Sequence, residues 1–434
     1  MTGRSALVIA FLGVLALVPF QKPSALAELA PGAVIDQTNW QEAEGLLPGP
    51  VLDWVKKGDG SMTVGELPYD PTEFVPPAAL KYMESNKGKY DVDEEGLIVD
   101  LATGKLPEFI DGLPFPEIDL EDPHAGPKIM YNKHFYSYVV GSIEVPFQVK
   151  WIGRKTGFER EIIMDYLTYA LDGYPPAREE SNPENVEMHS LIMALAPFDV
   201  KGTNILLWRY RDAKLDSTFA YVPAIRRVRR MSPANRSDAF LGSDFCVDDA
   251  WGYGGKVNAF NWKVIKKVDQ LLPAYPGKPL GLEPNDVGEL ATVNTGQIIT
   301  YGFENEGFQG APWWPEGIVY VKRPTYILEC TAKDKYYNYG PQQMWVDVGS
   351  YTPTYKVISD RSATYWKVEW QAMGGISTKD GSFRFTGLAN MMAFDDRSNH
   401  ACVIVLYHPK NSSRYIAQHD RNDFSLGGFQ KLCK

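Results

Sequence analysis

The 434-residue sequence carries a formal charge of −10, is 44% apolar and 13% aromatic, and contains four cysteines. This acidic balance argues against a nucleic-acid surface, and the apolar content is ample for a large core. Cys246, Cys330, Cys402 and Cys433 form no CxxC pair, which argues against a zinc site or a thioredoxin-like motif.

Residues 1–27 read as a cleaved secretory signal peptide. Arg4 is a thin positive start, an apolar stretch runs from Ala6 to Phe20 with Pro19 near its end, and Ala25-Leu26-Ala27 offers a small-x-small cleavage site. The apolar stretch is shorter than the roughly 18 to 20 residues a spanning helix needs. Cutting after Ala27 removes Arg4 and Lys22 and takes the charge from −10 to −12. Glu28 rather than cysteine would follow the cut, so no thiol is offered for lipoprotein-type anchoring. The expected location is the periplasm, where disulfides are permitted, and a Cys402–Cys433 bond tying down the C-terminal tail is the favoured pairing.

Residues 28–135 are rich in Pro, Gly and acids and read as a partly irregular N-terminal extension with short helices. One such helix is expected from Pro76 to Lys87, opened by prolines and stopped at Gly88. Asp91-x-Asp93-x-Glu95-Gly96 imitates a calcium loop, but Ala102 stands where a bidentate Glu is required, so a hairpin turn is the better reading. From Tyr136 onward short alternating runs are separated by Gly, Pro, Asn and Asp, which predicts one antiparallel sheet domain over 136–434. Ile205–Tyr210 and Thr218–Val222 alternate. Tyr365–Trp370 is expected to put Trp366, Val368 and Trp370 on one face, with Lys367 and Glu369 on the other.

Reaction signatures are absent from the sequence: there is no GxSxG elbow, GxxxxGK[ST] loop or HExxH. Gly252-Tyr253-Gly254-Gly255 is followed by Val257 where a dinucleotide loop needs glycine. The histidines, His124, His134, His189, His400, His408 and His419, show no ligand spacing. No catalytic residue, metal or cofactor is therefore expected, although an Asp/Glu pair assembled by the fold would leave no sequence trace.

The densest segment runs from Thr218 to Lys256. Arg226, Arg227, Arg229 and Arg230 fall in five residues that continue an alternating strand, so Arg226 and Arg230 should share a face with Val228, and Arg227 and Arg229 should lie opposite. Downstream, Asp238, Asp244, Asp248 and Asp249 could pair with those guanidiniums. Two readings stand: an ion-pair network locking strand to turn, or a charged mouth that meets an anionic head group or acidic partner beside a hydrophobic cleft.

TFAYVPAIRRVRR followed by GSDFCVDD resembles the signature of periplasmic outer-membrane lipoprotein-sorting proteins with a LolA-like fold. HSLIMALAPFDVKGTNILLWRYRD at 189–212 also resembles that group. GLPFPEID at 112–119, KIMYN at 128–132 and YILECTAKDKYYNYG at 326–340 resemble a proteobacterial family of unknown function within that relationship, described beside RND-type exporters. Phe219, where many relatives have Trp, and Cys246, where Thr or Ser is usual, are departures.

The resemblance implies a mainly β fold: a curved antiparallel sheet, an incomplete barrel, whose concave face is covered by helices and shelters an acyl chain or similar ligand. A carrier needs an apolar lining and no nucleophile. The alternating aromatics Trp208, Tyr210, Phe219, Tyr221, Trp262, Trp366 and Trp370 are the candidate lining. The leading expectation is a non-enzymatic periplasmic shuttle for a lipid or hydrophobic molecule, with an RND-type exporter as implied partner. The alternatives are an envelope hydrolase using an unrecognised carboxylate pair, and a non-catalytic adaptor docking through the N-terminal half.

Overall fold

The computed structural model describes residues 29–293, 296–406 and 411–433, so the expected signal peptide and His408 lie outside the described residues. Among these residues, sixteen strands form one large sheet. The first six are β1 (Ile143–Gly153), β2 (Gly157–Ala170), β3 (Val186–Ala196), β4 (Asn204–Tyr210), β5 (Ser217–Val222) and β6 (Arg227–Arg230). Each pairs antiparallel with the next, and β6 is left as a free edge.

The remaining ten are β7 (Phe260–Ala274), β8 (Leu280–Pro284), β9 (Leu290–Thr292), β10 (Val319–Ala332), β11 (Tyr339–Asp347), β12 (Pro353–Asp360), β13 (Tyr365–Thr378), β14 (Arg384–Asp395), β15 (His400–Val405) and β16 (Arg414–Tyr415). From β1 the sheet continues antiparallel through β15, β14, β13, β12, β11, β10 and β7. One edge of β13 is then shared: after β12 it meets β7 in parallel at Met373, then β8 in parallel at Ile376–Thr378. β8 leads through β9 and β16 back to β1. The sheet as a whole is not closed as a barrel: among the described residues β6 has no partner on its outer side.

Among the described residues four α-helices accompany it: α1 (Gly49–Lys56), α2 (Pro77–Asn86), α3 (Ala125–Tyr138) and α4 (Leu426–Leu432). The expected helix at Pro76–Lys87 is present as α2, with Pro76 and Lys87 as its flanking residues. The Asp91–Gly96 segment is a hairpin turn: Asp93 Oδ1 accepts from Glu95 N at 3.0 Å and Leu97 N at 2.8 Å. α3 crosses the expected domain boundary at 135 and is buried along most of its length. It can approach β7 because Gly126 has no side chain; a Cβ there would sit 2.8 Å from Trp262 Cβ. α1 joins a second core, where Trp54 meets Phe394 edge-on at 5.5 Å. α4 opens on Ser425, whose Oγ accepts from Gly428 N at 3.0 Å, and carries Phe429 into a core with Leu206 and Phe219.

Two local expectations are corrected. All four cysteines are free: Cys402 Sγ accepts a weak bond from Asp244 N, and Cys433 Sγ one from Asn204 Nδ2, each at 3.4 Å. Their separate cores, on different parts of the sheet, keep them from pairing. On β13, the register with β12 slips between Ile358↔Lys367 and Ser359↔Tyr365, leaving Trp366 on the bulge. Val368 and Trp370 share a core with Tyr365, whereas Trp366 donates to Asp395 Oδ2 at 2.7 Å and packs edge-on against Tyr339. The polar face of this strand is not open to water either, since Glu369 is fully buried.

Candidate functional site

The strand register defines which face of the sheet can receive a ligand. Tyr166, Ile192 and Ile205 stand opposite one another across β2, β3 and β4, as do Thr168, Ser190 and Leu207 two residues further along. All six border a mostly apolar cavity with about 210 Å³ open to the centres of water-sized molecules. α3 covers it through Lys133, His134, Tyr136, Ser137 and Tyr138. β13 and β14 close another side with Ile376, Phe385 and Leu388.

A further wall is the segment Val247–Gly254, from which Val247, Ala250, Trp251 and Gly254 face the cavity. Its carboxylates are buried among charged and phenolic groups. Lys356 Nζ lies 2.6 Å from Asp249 Oδ1 and 2.7 Å from Glu369 Oε1, and Tyr339 donates to Asp249 Oδ2 at 2.9 Å. Tyr337 donates to Asp248 Oδ2 at 3.1 Å, and Arg236 pairs with Asp248 while reaching Asp216 at 2.8 Å. Arg209, from the cavity face of β4, also meets Asp216, at 2.9 Å. Burial alone would raise Asp216, but the Arg209 and Arg236 guanidiniums hold its carboxyl below the usual range. The loop is thus pinned from beneath, and its small and aromatic residues are presented to the cavity.

Asp248 and Asp249 do sit in an ion network, but the cations paired with them are Arg236 and Lys356, not the four arginines expected from the sequence. Arg226 does not continue a strand: Pro223 opens a single 3-10 turn, Arg226 follows at φ 48°, and the chain reverses into β6. Val228 and Arg230 lie opposite Tyr221 and Phe219, while Arg227 and Arg229 lie opposite Val222 and Ala220. Because Ala220 pairs with the cavity-lining Ile205, Arg227 and Arg229 are on the cavity side of the free edge, both exposed. Arg230 donates to Ser217 Oγ at 3.2 Å. Asp244 bonds His400, and Asp238 accepts from Asn235 and Asn338.

None of the seven candidate lining aromatics is among the cavity's bordering side chains. Ile205, Leu207 and Arg209 face inward, so alternation turns Trp208 and Tyr210 outward. Trp208 donates to Phe424 O at 2.8 Å and meets Phe219 edge-on, beneath α4, with Tyr221 in the same core. Tyr210 donates to Ser217 Oγ at 3.1 Å. Trp262 lies behind α3, donating to Val257 O at 2.8 Å, and Trp370 is fully buried in the core that includes α1.

Sequence reading missed Arg209, Arg236 and Lys356. Only Lys356 left a trace, as a charge inside the run Tyr355-Lys356-Val357-Ile358.

Two basic side chains of α3, Lys133 and His134, border the cavity. Both His134 ring nitrogens face backbone carbonyls, Met130 O at 2.9 Å and Gly255 O at 3.0 Å, and burial drives its pKa well down. Lys133 donates to Tyr253 O at 2.7 Å, and burial, aided by the Arg209 and Lys356 charges, lowers its pKa to about 7. The buried carboxylates Asp249 and Glu369 lie beside Lys356 and do not border the cavity. No helix among the described residues is long and apolar enough to cross a membrane.

A family model described as "Protein of unknown function (DUF1329)" matches residues 34–426. The chain belongs to this family. Among solved structures, DUF1329 similarity includes a protein from Desulfovibrio piger, at 18% identity and a TM-score of 0.46 over 71% of this chain and 99% of that one. An outer membrane lipoprotein-sorting protein domain from Vibrio parahaemolyticus is similar at 16% identity and a TM-score of 0.47, over 71% of this chain and all of the other. A LolA superfamily protein from Nitrosomonas europaea gives 12% identity and a TM-score of 0.38, over 67% and 93% of the two chains. No curated protein matches.

Proposed function

We propose that this DUF1329 protein binds a lipid or another hydrophobic molecule in the periplasm and carries it through water, after loss of residues 1–27. The observation that carries this reading is the mostly apolar cavity between the inner face of β1–β4, α3 and the Val247–Gly254 wall. Burying hydrocarbon there gains about 0.8 kcal/mol per CH2, which retains a chain of several methylenes without any covalent step. The resemblance of the Arg-to-GSDF segment to lipoprotein-sorting proteins points the same way.

Arg227 and Arg229, exposed on the cavity side of the free edge, suit an anionic head group or the acidic surface of a receiving protein. An RND-type exporter is the proposed partner for loading or delivery.

Binding of a fluorescent acyl probe tests the reading. Uptake should saturate at one site and fall at least tenfold in Ile205→Trp, which fills the cavity from β4. Equal uptake by that variant would reject the cavity as the site.

A further inference from the structure

On the flank of the sheet, away from the buried charges under the cavity wall, Asp244 meets the start of β15. We propose that Asp244, His400 and Cys402 form a binding site for a divalent transition metal of the zinc class, which ties the segment before the cavity wall to the sheet. His400 and Cys402 are two residues apart on one strand, so their side chains leave from the same face. Asp244 comes to them from the loop, and the donor atoms of the three residues all lie within 4.8 Å of one another. Asp244 Oδ2 is 2.6 Å from His400 Nδ1, and Asp244 N donates to Cys402 Sγ at 3.4 Å.

One carboxylate, one imidazole and one thiol form a mixed O, N, S set that suits zinc and leaves a fourth position for water. Cys402 is fully buried, but His400 and Asp244 keep 18% and 13% of their side-chain surface, so an ion has a way in. The second ring nitrogen strengthens the assignment. His400 Nε2 lies 3.5 Å from Glu159 Oε2. A metal-bound histidine commonly gives its other N–H to a carboxylate, which fixes the ring and its tautomer. Here one carboxylate faces each nitrogen: Asp244 beside Nδ1 as fellow ligand, Glu159 beside Nε2 as the positioning group.

Binding releases the Cys402 thiol proton to solvent. His400 then coordinates through a deprotonated Nδ1 and keeps its remaining proton on Nε2, toward Glu159. Asp244 stands three residues before Val247, where the cavity wall begins. The bound ion would hold that end of the wall, as Lys356 holds Asp249 further along. The donors are 156 and 158 residues apart in the chain, which hides the set from any reading of ligand spacing.

The test is a cobalt titration of the full protein after treatment with chelator and reductant. One Co²⁺ per chain should bind with a thiolate-to-cobalt charge-transfer band and tetrahedral visible bands, and Zn²⁺ should displace it. The band should vanish in Cys402→Ser and persist in Cys246→Ser, whose thiol is buried elsewhere. Because Cys402 is a core residue, Glu159→Gln on the surface serves as a second variant and should weaken affinity about 10–100-fold. No band in the parent protein, an unchanged band in Cys402→Ser, or unchanged affinity in Glu159→Gln would overturn the proposal. The readout is independent of lipid, so its failure would leave the carrier function standing.

Discussion

Lys356 Nζ lies 2.6 Å from Asp249 Oδ1 with each side chain only 1% exposed, which fastens the loop that walls the cavity to the middle of β12. Burial opposes the lysine charge, but Asp249 and Glu369 outweigh it and raise the Lys356 pKa. The two carboxyls respond in opposite directions. Asp249 is held below its usual range by the lysine despite burial, while burial and the Asp249 charge push Glu369 well up.

Lys356→Met removes the cation from this group and leaves a buried carboxylate without compensation. A loss of about 3–5 kcal/mol is expected in urea unfolding. A change within about 0.5 kcal/mol, the range of ordinary surface substitutions, would show that the group does not pin the loop.

Glu187 offers a pH signature. It is buried, accepts from Tyr138 OH at 3.2 Å, and burial raises its pKa from 4.5 to about 7. Between those values the folded chain holds a proton the unfolded chain has lost, so stability from this residue is full below pH 4.5 and declines as pH rises through 7. Glu187→Gln should flatten that decline, with a relative gain on the order of 3 kcal/mol at neutral pH. An unchanged slope of stability against pH would contradict the assignment.

Trp208 separates packing from binding. It faces outward beneath α4, so Trp208→Ala should cost about 3–5 kcal/mol, as large aromatic truncations do, without changing probe affinity per folded molecule. Loss of binding at full stability would make Trp208 a ligand contact after all.

Arg227 and Arg229 should behave in the reverse way. Both are exposed, so Arg227→Gln with Arg229→Gln should leave the urea midpoint almost unmoved. Transfer of probe to anionic acceptor vesicles should slow severalfold, and less so at high salt, where exposed charges are screened. Equal rates at low salt would remove the edge arginines from the delivery step.

Much of the sheet was legible because period-2 alternation is local: the runs at Ile205–Tyr210 and Thr218–Val222 became strands within a residue of where alternation puts them. Which side of a strand meets a ligand is not local. The aromatic face of β4 drew attention by size, yet α3 covers the other face, that of Ile205 and Leu207. The same limit applies to charge. Four consecutive-looking arginines were conspicuous, while the cations that pair with Asp248, Asp249 and Asp216 come from β4, the turn at Arg236 and β12, brought together only by the fold. Trp366 shows how a single bulge reassigns a side chain that alternation alone puts with Val368.

Native mass spectrometry of the protein purified from cells, followed by solvent extraction, tests the central claim most directly. The expected result is a stoichiometric mass excess that leaves on extraction as a hydrophobic molecule and is missing from Ile205→Trp. A bare-chain mass before and after extraction, in a protein that also fails to take up acyl probe, would contradict the carrier function.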